Sequence, residues 1–143
     1  MNLNRSHFDI SLADGWEDQS VYTFKGPEDG GVQHNLLLTI DQDISGIDLT
    51  EYAEQKIESL KEGLQGMEIV KQEEKHLKSG IPAYEVVFKW IPAPETIMFQ
   101  KQVYLVVENK GYTFTASFSK KTLKTIGNEV DEMINSFKPL GGS

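Results

Sequence analysis

Apolar and polar residues alternate along much of the chain, which is the pattern of β-strands with two different faces. Glycine, proline and asparagine residues separate one alternating run from the next. Strands are therefore predicted at residues 7–12, 20–24, 35–40, 68–77, 83–91, 95–107 and 112–118. Between the second and third of these strands, the glycines and the proline of residues 26–31 predict a mobile loop.

The pattern changes to a helical period in two places. The first helix is predicted at residues 48–64, because Asp48 caps free amides, Glu51 completes a capping box and Gly66 ends the run. Its apolar residues recur every three or four positions: Leu49, Tyr52, Ala53, Ile57, Leu60 and Leu64. A second helix, at residues 121–137, has the same period in Leu123, Ile126, Val130, Met133 and Ile134.

The predicted order of elements is β-β-β-α-β-β-β-β-α. This order is typical of an α+β fold, in which an antiparallel sheet of about six to seven strands packs with two main helices. The chain shows no internal repeat and no linker. We therefore expect residues 1–140 to form a single domain and residues 141–143 to form a flexible tail.

The alternation also predicts how the strands divide between two sheet faces. Large apolar side chains are expected to share one face and fill a core under the helices: Tyr22, Phe24, Tyr84, Val86, Phe88, Trp90, Tyr112, Phe114, Ala116 and Phe118. The other face is then neither charged nor strongly apolar: Val21, Thr23, Leu37, Thr39, Val87, Met98, Gln100, Gln102, Thr113, Thr115 and Ser117. Such a face suits an apolar partner that also carries small polar groups. It is equally consistent with ordinary β-propensity or with a helix that covers this face.

Composition narrows the classes of function. The net charge is −8, from 22 acidic and 14 basic residues, and this charge disfavours nucleic acids and anionic membranes as partners. The absence of cysteine excludes disulfides, thiolate metal sites and a cysteine nucleophile. The first twenty residues show no signal peptide, and no apolar run is long enough to span a membrane. We therefore expect a cytoplasmic location.

Two candidate metal patterns are incomplete. Residues 41–46 (DQDISG) begin like a calcium-binding loop, but the twelfth position, which requires a glutamate, is Tyr52. We therefore interpret this segment as a turn with a helix cap. The histidines His7, His34 and His76 fall in unrelated elements and are expected at the surface or at strand edges. No catalytic motif, metal site or cofactor site is apparent, so we expect a binding protein that is not an enzyme.

Several segments in the same order resemble the Eag chaperones, the effector-associated family of bacterial type VI secretion. The resemblance extends from Phe8 to Phe137. It is carried by residues 15–24 (GWEDQSVYTF), the helix of residues 52–64 that ends at Gly66, residues 80–83 (GIPA) and residues 98–104 (MFQKQVY).

The resemblance implies a PsbP-like fold and a homodimer. It also implies a function: a cytoplasmic chaperone that shields the N-terminal transmembrane segments of a type VI effector, of the Rhs type or similar, and helps to load the effector onto the secretion spike. The family's effector-binding surface would fall on Val21, Thr23, Leu60, Leu64, Met98 and Gln102. The alternative is a PsbP-like binding domain for a lipid or another small apolar ligand. No cofactor is implied by either function.

Overall fold

The computed structural model describes residues 10–29 and 32–139. It contains six strands and two helices in the order β-β-α-β-β-β-β-α within these residues. The elements are β1 (Val21–Asp29), β2 (Val32–Asp41), α1 (Leu49–Gly63), β3 (Glu68–His76), β4 (Pro82–Ala93), β5 (Thr96–Val107), β6 (Lys110–Phe118) and α2 (Ile126–Asn135). This arrangement confirms the predicted α+β class, with one antiparallel sheet and two main helices.

All strand pairs in the sheet are antiparallel, and the strand order is β1-β2-β6-β5-β4-β3. The strands β5 and β6 lie at the centre, whereas β1 and β3 form the two edges. The first predicted strand, at residues 7–12, differs from the structure. Residues 7–9 of the first predicted strand lie outside the described residues, and residues 10–12 of it are not in a strand.

The loop predicted at residues 26–31 is largely strand. β1 continues through Gly26 and Pro27 to Asp29, and the register with β2 shifts between Lys25 and Glu28. Proline lacks an N–H donor, and in sheets it is confined to edge strands and bulges, where no ladder bond is required of it. Residues that normally mark a loop are therefore accommodated in an edge strand with a bulge. Residues 30 and 31 lie outside the described part.

The helix α1 begins and ends as its sequence predicts. The Asp48 carboxylate accepts a hydrogen bond from the backbone N–H of Glu51 at 2.9 Å, which is an N-cap. At the other end, the N–H of Leu64 donates to the carbonyl of Leu60, and Gly66 has a φ of +68°. Glycine adopts this conformation without the steric cost that other residues incur.

The two helices lie on opposite faces of the sheet, which corrects the prediction of one shared core. One face, here called the α1 face, buries Val86, Phe88 and Tyr104 against α1. The other, here called the α2 face, buries Phe114 and Phe118 against α2, together with Leu36, Leu38, Val103 and Leu105. The aromatic runs of β4 and β6 therefore belong to different cores.

The strand register explains this correction. Val86 is paired with Gln102, and Gln102 is paired with Thr115, so the apolar residues of β4 share a face with the polar residues of β6. Alternation within a strand shows which residues share a face, but the turns between strands decide how the faces of neighbouring strands match. Val87, which was predicted on the polar face, is paired with Lys101 and is buried on the α2 face.

Polar residues are also buried on the α2 face. His34 is 3% exposed, in contrast to the predicted surface position, and its ring contacts the Thr122 hydroxyl at 3.0 Å and the Pro27 carbonyl at 3.2 Å. On the far side of the same face, the buried Glu85 carboxylate lies 2.7 Å from Lys75 and 3.6 Å from Lys101. These partners satisfy groups that would be costly to bury alone.

Tyr52 of α1 packs directly against Gly111 of β6. A Cβ atom at Gly111 would lie 2.4 Å from the Tyr52 ring, well inside van der Waals contact. Glycine is therefore required here because the helix approaches the sheet so closely, and not because of its backbone conformation.

We expect Gly111→Ala to lower the free energy of unfolding by about 1–3 kcal/mol, because the added methyl group forces Tyr52 out of its position. Gly63→Ala is the matched control, since nothing lies within 4 Å of the Cβ that it would add. It replaces a helical glycine and should be neutral or slightly stabilising. Urea unfolding measures both. Equal stability of the two variants would contradict the packing described here.

Candidate binding face

The helix α1 covers only part of its sheet face. It packs against β4 and β5, where Val86, Phe88 and Tyr104 have no exposed area. Toward the other edge of the sheet, Val21 of β1 is 53% exposed. Six half-buried or exposed residues of the α1 face on β1, β2 and β6 are here called the open half: Val21, Thr23, Leu37, Thr39, Thr115 and Ser117. Lys25, Asn35 and Asp41 lie on the same face and border it.

Antiparallel pairing arranges these residues in rows across the strands. Thr23, Leu37, Thr115 and Gln102 form one such row, on β1, β2, β6 and β5 respectively. Because neighbouring strands are about 4.8 Å apart, this row extends roughly 14 Å from the β1 edge to the strand beneath α1. The open half is therefore a continuous surface rather than a set of isolated side chains.

The chemistry of the open half is uncharged and mixed. Aliphatic side chains alternate with hydroxyl groups across the rows, and Gln100 and Gln102 of β5 lie at the boundary with α1. Charged side chains lie at its margins. Lys25 follows Thr23 at the next position of the same face on β1, and Asp41 and Lys56 form an ion pair of 3.0 Å near the start of α1.

Four of the six residues predicted for effector binding lie on the α1 face and the other two lie on α1 and its C-cap, but the six do not form a single cluster. Val21 and Thr23 lie on the β1 edge, and Gln102 lies three strands away in the same row as Thr23. Three others lie on the α1 side: Met98 is paired with Trp90, and Leu60 and Leu64 are partly buried in the core that α1 forms with β4.

The six-residue prediction omits four residues of the open half: Leu37, Thr39, Thr115 and Ser117. They lie between the β1 residues and Gln102 and make the surface continuous. Their alternation with apolar neighbours is the available sequence signal, since it predicts all four on the polar face. What the sequence did not show is that β2 and β6 separate β1 from β5.

Tyr52 connects α1 to the rim of this surface through a buried polar network. Its hydroxyl donates to the Asp41 carboxylate at 2.6 Å and lies 3.1 Å from the Thr113 hydroxyl. Burial and the nearby carboxylate raise the pKa of Tyr52 well above its usual value. Burial alone would raise the pKa of Asp41, but hydrogen bonds from Tyr52 and Lys56 outweigh it and hold that pKa below its usual value.

The two glutamines of β5 use opposite ends of their side-chain amides in their hydrogen bonds. The Tyr104 hydroxyl donates to Oε1 of Gln102 at 2.5 Å. Gln100 instead donates from its Nε2 to the Ser117 hydroxyl at 2.9 Å. Close by, the indole N–H of Trp90 is buried and has no acceptor among the described residues.

The segment that begins like a calcium loop has other roles in the structure. Asp41 binds Tyr52 and Lys56, Asp43 accepts from the backbone and side chain of Ser45, and Asp48 caps α1. These contacts agree with the interpretation of a turn with a helix cap. Within residues 10–29 and 32–139, no group of three or more histidine, aspartate or glutamate residues is placed to hold a metal ion.

A small cavity lies away from this surface, beside α2. Its volume is about 40 Å³, and its lining includes Phe24, Pro27, His34, Ile126 and Met133. Pockets that take drug-sized ligands usually enclose roughly 300–1,000 Å³. The cavity therefore has no room for a lipid chain. Among the helices that the structure describes, none is long and apolar enough to cross a membrane.

Comparison with known protein families shows to which family this chain belongs. The family model DcrB matches residues 8–136, which is nearly the whole chain. This chain is a member of the DcrB family. No curated protein matches the sequence.

Solved structures similar to this DcrB-family protein share its fold. A protein of unknown function from Pseudomonas aeruginosa, PA94, described as a putative regulator, has a TM-score of 0.80 at 17% identity, over 97% of this chain and 96% of that one. Cyanobacterial PsbP (CyanoP) from Synechocystis has a TM-score of 0.53 at 14% identity, over 89% of this chain and 96% of that one. At these identities the likeness shows the fold alone, which confirms the predicted PsbP-like architecture.

The pKa of Asp41 leads to a prediction of pH-dependent stability. Tyr52→Phe should lower the free energy of unfolding at pH 7 by about 1–2 kcal/mol, because a buried bond to a carboxylate is lost. A carboxyl group with a lowered folded pKa stabilises the fold above its unfolded pKa, near 3.9, and loses this effect as the pH falls through the folded pKa. The difference between the two proteins should therefore shrink between pH 5 and pH 2 in urea titrations.

The control for this experiment is Tyr104→Phe, in which the lost hydroxyl donates to an uncharged amide. Its effect on the free energy of unfolding should not change over the same pH range. A difference for Tyr52→Phe that stays constant from pH 5 to pH 2 would mean that the Asp41 bond does not contribute to the stability of the fold.

Proposed function

We propose that this DcrB-family protein is a cytoplasmic chaperone for the N-terminal transmembrane segments of an exported protein. The client is a type VI secretion effector, of the Rhs type or similar, which the chaperone keeps soluble and helps to load onto the secretion spike. The ordered resemblance to Eag chaperones, from Phe8 to Phe137, supports this proposal at the level of the family. The protein acts by binding and carries out no chemical reaction of its own.

The open half of the α1 face is the observation that carries the proposal. It is a broad surface of aliphatic and hydroxyl side chains with its charges at the margins. A solvent-facing sheet surface usually carries polar residues, many of them charged, whereas membrane helices pack through small, aliphatic and uncharged polar residues. The open half therefore matches the surroundings that a transmembrane helix has inside a membrane.

The size and energy of such a contact are adequate. A transmembrane helix has about 20 apolar residues and a length of about 30 Å. The ten residues of β2, which carries part of the open half, extend roughly 34 Å, so this strand is about as long as such a helix. Each 100 Å² of apolar surface removed from water contributes about 2.5 kcal/mol. Met98, which is flexible, and the aliphatic residues of the open half supply this contact.

A homodimer is part of the proposal. One open half covers only one side of a helix, and a second copy would cover another side of the same client or hold a second segment. The net charge of −8 keeps the chaperone soluble while its apolar surface is free. Release follows from transfer of the client to another component of the secretion apparatus.

The alternative function, binding of a lipid or a small apolar ligand, requires an enclosed cavity between the sheet and a helix. The cavity beside α2 has a volume of about 40 Å³, and its lining includes Pro27 at the bulge of β1. The contrast between this small cavity and the broad open half favours the chaperone function.

Co-expression with a client tests the proposal. The chain is produced together with the N-terminal transmembrane region of an effector encoded beside it, and the soluble complex is quantified after affinity capture. We expect Met98→Asp to reduce the complex at least tenfold, because it places a charge against an apolar helix. Ile97→Asp is the matched control, since Ile97 is 57% exposed and the alternation of β5 directs it to the opposite face.

The possible outcomes distinguish an error in the proposed binding site from an error in the proposed function. A soluble complex that forms with the wild-type chain and Ile97→Asp but not with Met98→Asp supports both. If Met98→Asp captures as much client as Ile97→Asp, then the client binds elsewhere. If the client remains insoluble with the wild-type chain for every neighbouring effector, the chaperone function is wrong. Circular dichroism shows that each variant is folded.

A further inference from the structure

The side-chain amide of Gln102 is fixed in one orientation. Its Oε1 accepts the hydrogen bond of the Tyr104 hydroxyl at 2.5 Å, and the two residues are neighbours on the same face of β5. The carbonyl end of the amide is therefore turned toward Tyr104, and the NH₂ end is left to bind something else.

Tyr104 is suited to hold this orientation because it is itself immobile and remains a donor. Its side chain has no exposed area, and its ring packs edge-on against that of Tyr52 with 6.2 Å between centroids. Burial, with the neighbouring hydroxyls of Tyr52 and Tyr84, raises the pKa of Tyr104 well above its usual value, so the hydroxyl keeps its proton. Within the described residues, no other acceptor competes for that proton.

Gln100 is held in the opposite sense. Its NH₂ group donates to the Ser117 hydroxyl across the strands at 2.9 Å, which leaves its carbonyl end to accept. The two glutamines are two positions apart on β5, so they present different groups along one strand. Along β5, Gln102 therefore presents an amide donor, and Gln100 presents an amide acceptor.

We propose that Tyr104 is a positioning residue that makes Gln102 a fixed hydrogen-bond donor. A client helix bound on the open half is then favoured when it carries an acceptor oxygen opposite Gln102. This inference rests on the proposed function and adds to it the chemistry of the client. Suitable acceptors are the hydroxyl or ether oxygen of a short side chain, and a backbone carbonyl that lacks its helical partner.

The selectivity follows from the cost of burying a donor without an acceptor. When a helix covers the open half, water leaves the Gln102 amide, and a client with only aliphatic groups there leaves the N–H unpaired. If the amide could rotate freely, it would present either end and the site would tolerate donors and acceptors alike. The bond from Tyr104 removes that freedom and therefore discriminates against clients without an acceptor.

The test uses two helical peptides of about 20 leucine and alanine residues that differ at one central position. One carries O-methylserine and the other norvaline; their side chains have the same shape, but only the first has an acceptor oxygen. Both carry the same solubilising end groups and a fluorophore. Equilibrium binding to the full chain is measured by fluorescence anisotropy, and the ratio of the two dissociation constants is the readout.

We expect the wild-type chain to bind the O-methylserine peptide about fivefold more tightly, the effect of one added hydrogen bond. Gln102→Met should abolish this preference, because the donor is removed. Tyr104→Phe should also reduce it to less than twofold, although Gln102 is still present. Tyr84→Phe is the control, because it removes a hydroxyl from the same face and register row that bonds to Gln72 rather than to Gln102. It should retain the preference.

A change in stability alone would not produce this pattern, because it would weaken both peptides equally and leave the ratio unchanged. The inference is overturned if wild-type protein binds both peptides equally well, or if Tyr104→Phe keeps the fivefold preference. The proposed function survives either of these results, because both peptides are still bound. If the wild-type chain binds neither peptide, the proposed function fails together with the inference.

Discussion

The contact of Tyr52 with Gly111 determines where α1 lies on the sheet. The ring occupies the space that any larger residue at position 111 would fill, and the hydroxyl reaches Asp41 and Thr113. These contacts lie near the N-terminus of the helix, whereas its later residues pack on β4 and β5. The helix therefore crosses one side of the sheet face, and the area left uncovered is the open half.

The two faces of the sheet differ in how completely their helices cover them. The α2 face is a closed core, in which even the buried His34 and Glu85 have partners, Thr122 and Lys101 respectively. The α1 face is closed only beneath its helix. Because both faces are built from the same strands, the rigid core on one side supports the side chains that are free to bind on the other.

The local sequence pattern predicted most helices and strands. It could not predict the strand register or the strand order, which depend on residues far apart in the chain. The helix cap at Asp48 and the strand limits of β3 to β6 depend on residues close together in the chain, and the structure agrees with them. The match between faces of β4 and β6 depends on the register through β5, which no alternation reveals. The structure places the six predicted site residues on the α1 side of the sheet, and their separation across β2 and β6 could be seen only from the strand order. The hydrogen bond that orients Gln102 requires side-chain coordinates.

The alternation of β5 has a consequence for how such proteins diverge. Gln100, Gln102 and Tyr104 face one side of this strand, while Lys101, Val103 and Leu105 face the other and belong to the closed core. Substitutions at Gln100 and Gln102 can therefore change what is bound while the core residues of β5 stay the same. The fold shared with PA94 at only 17% identity shows how much replacement this architecture accepts. A lineage built on this sheet can acquire new partners by small steps, without passing through unstable intermediates.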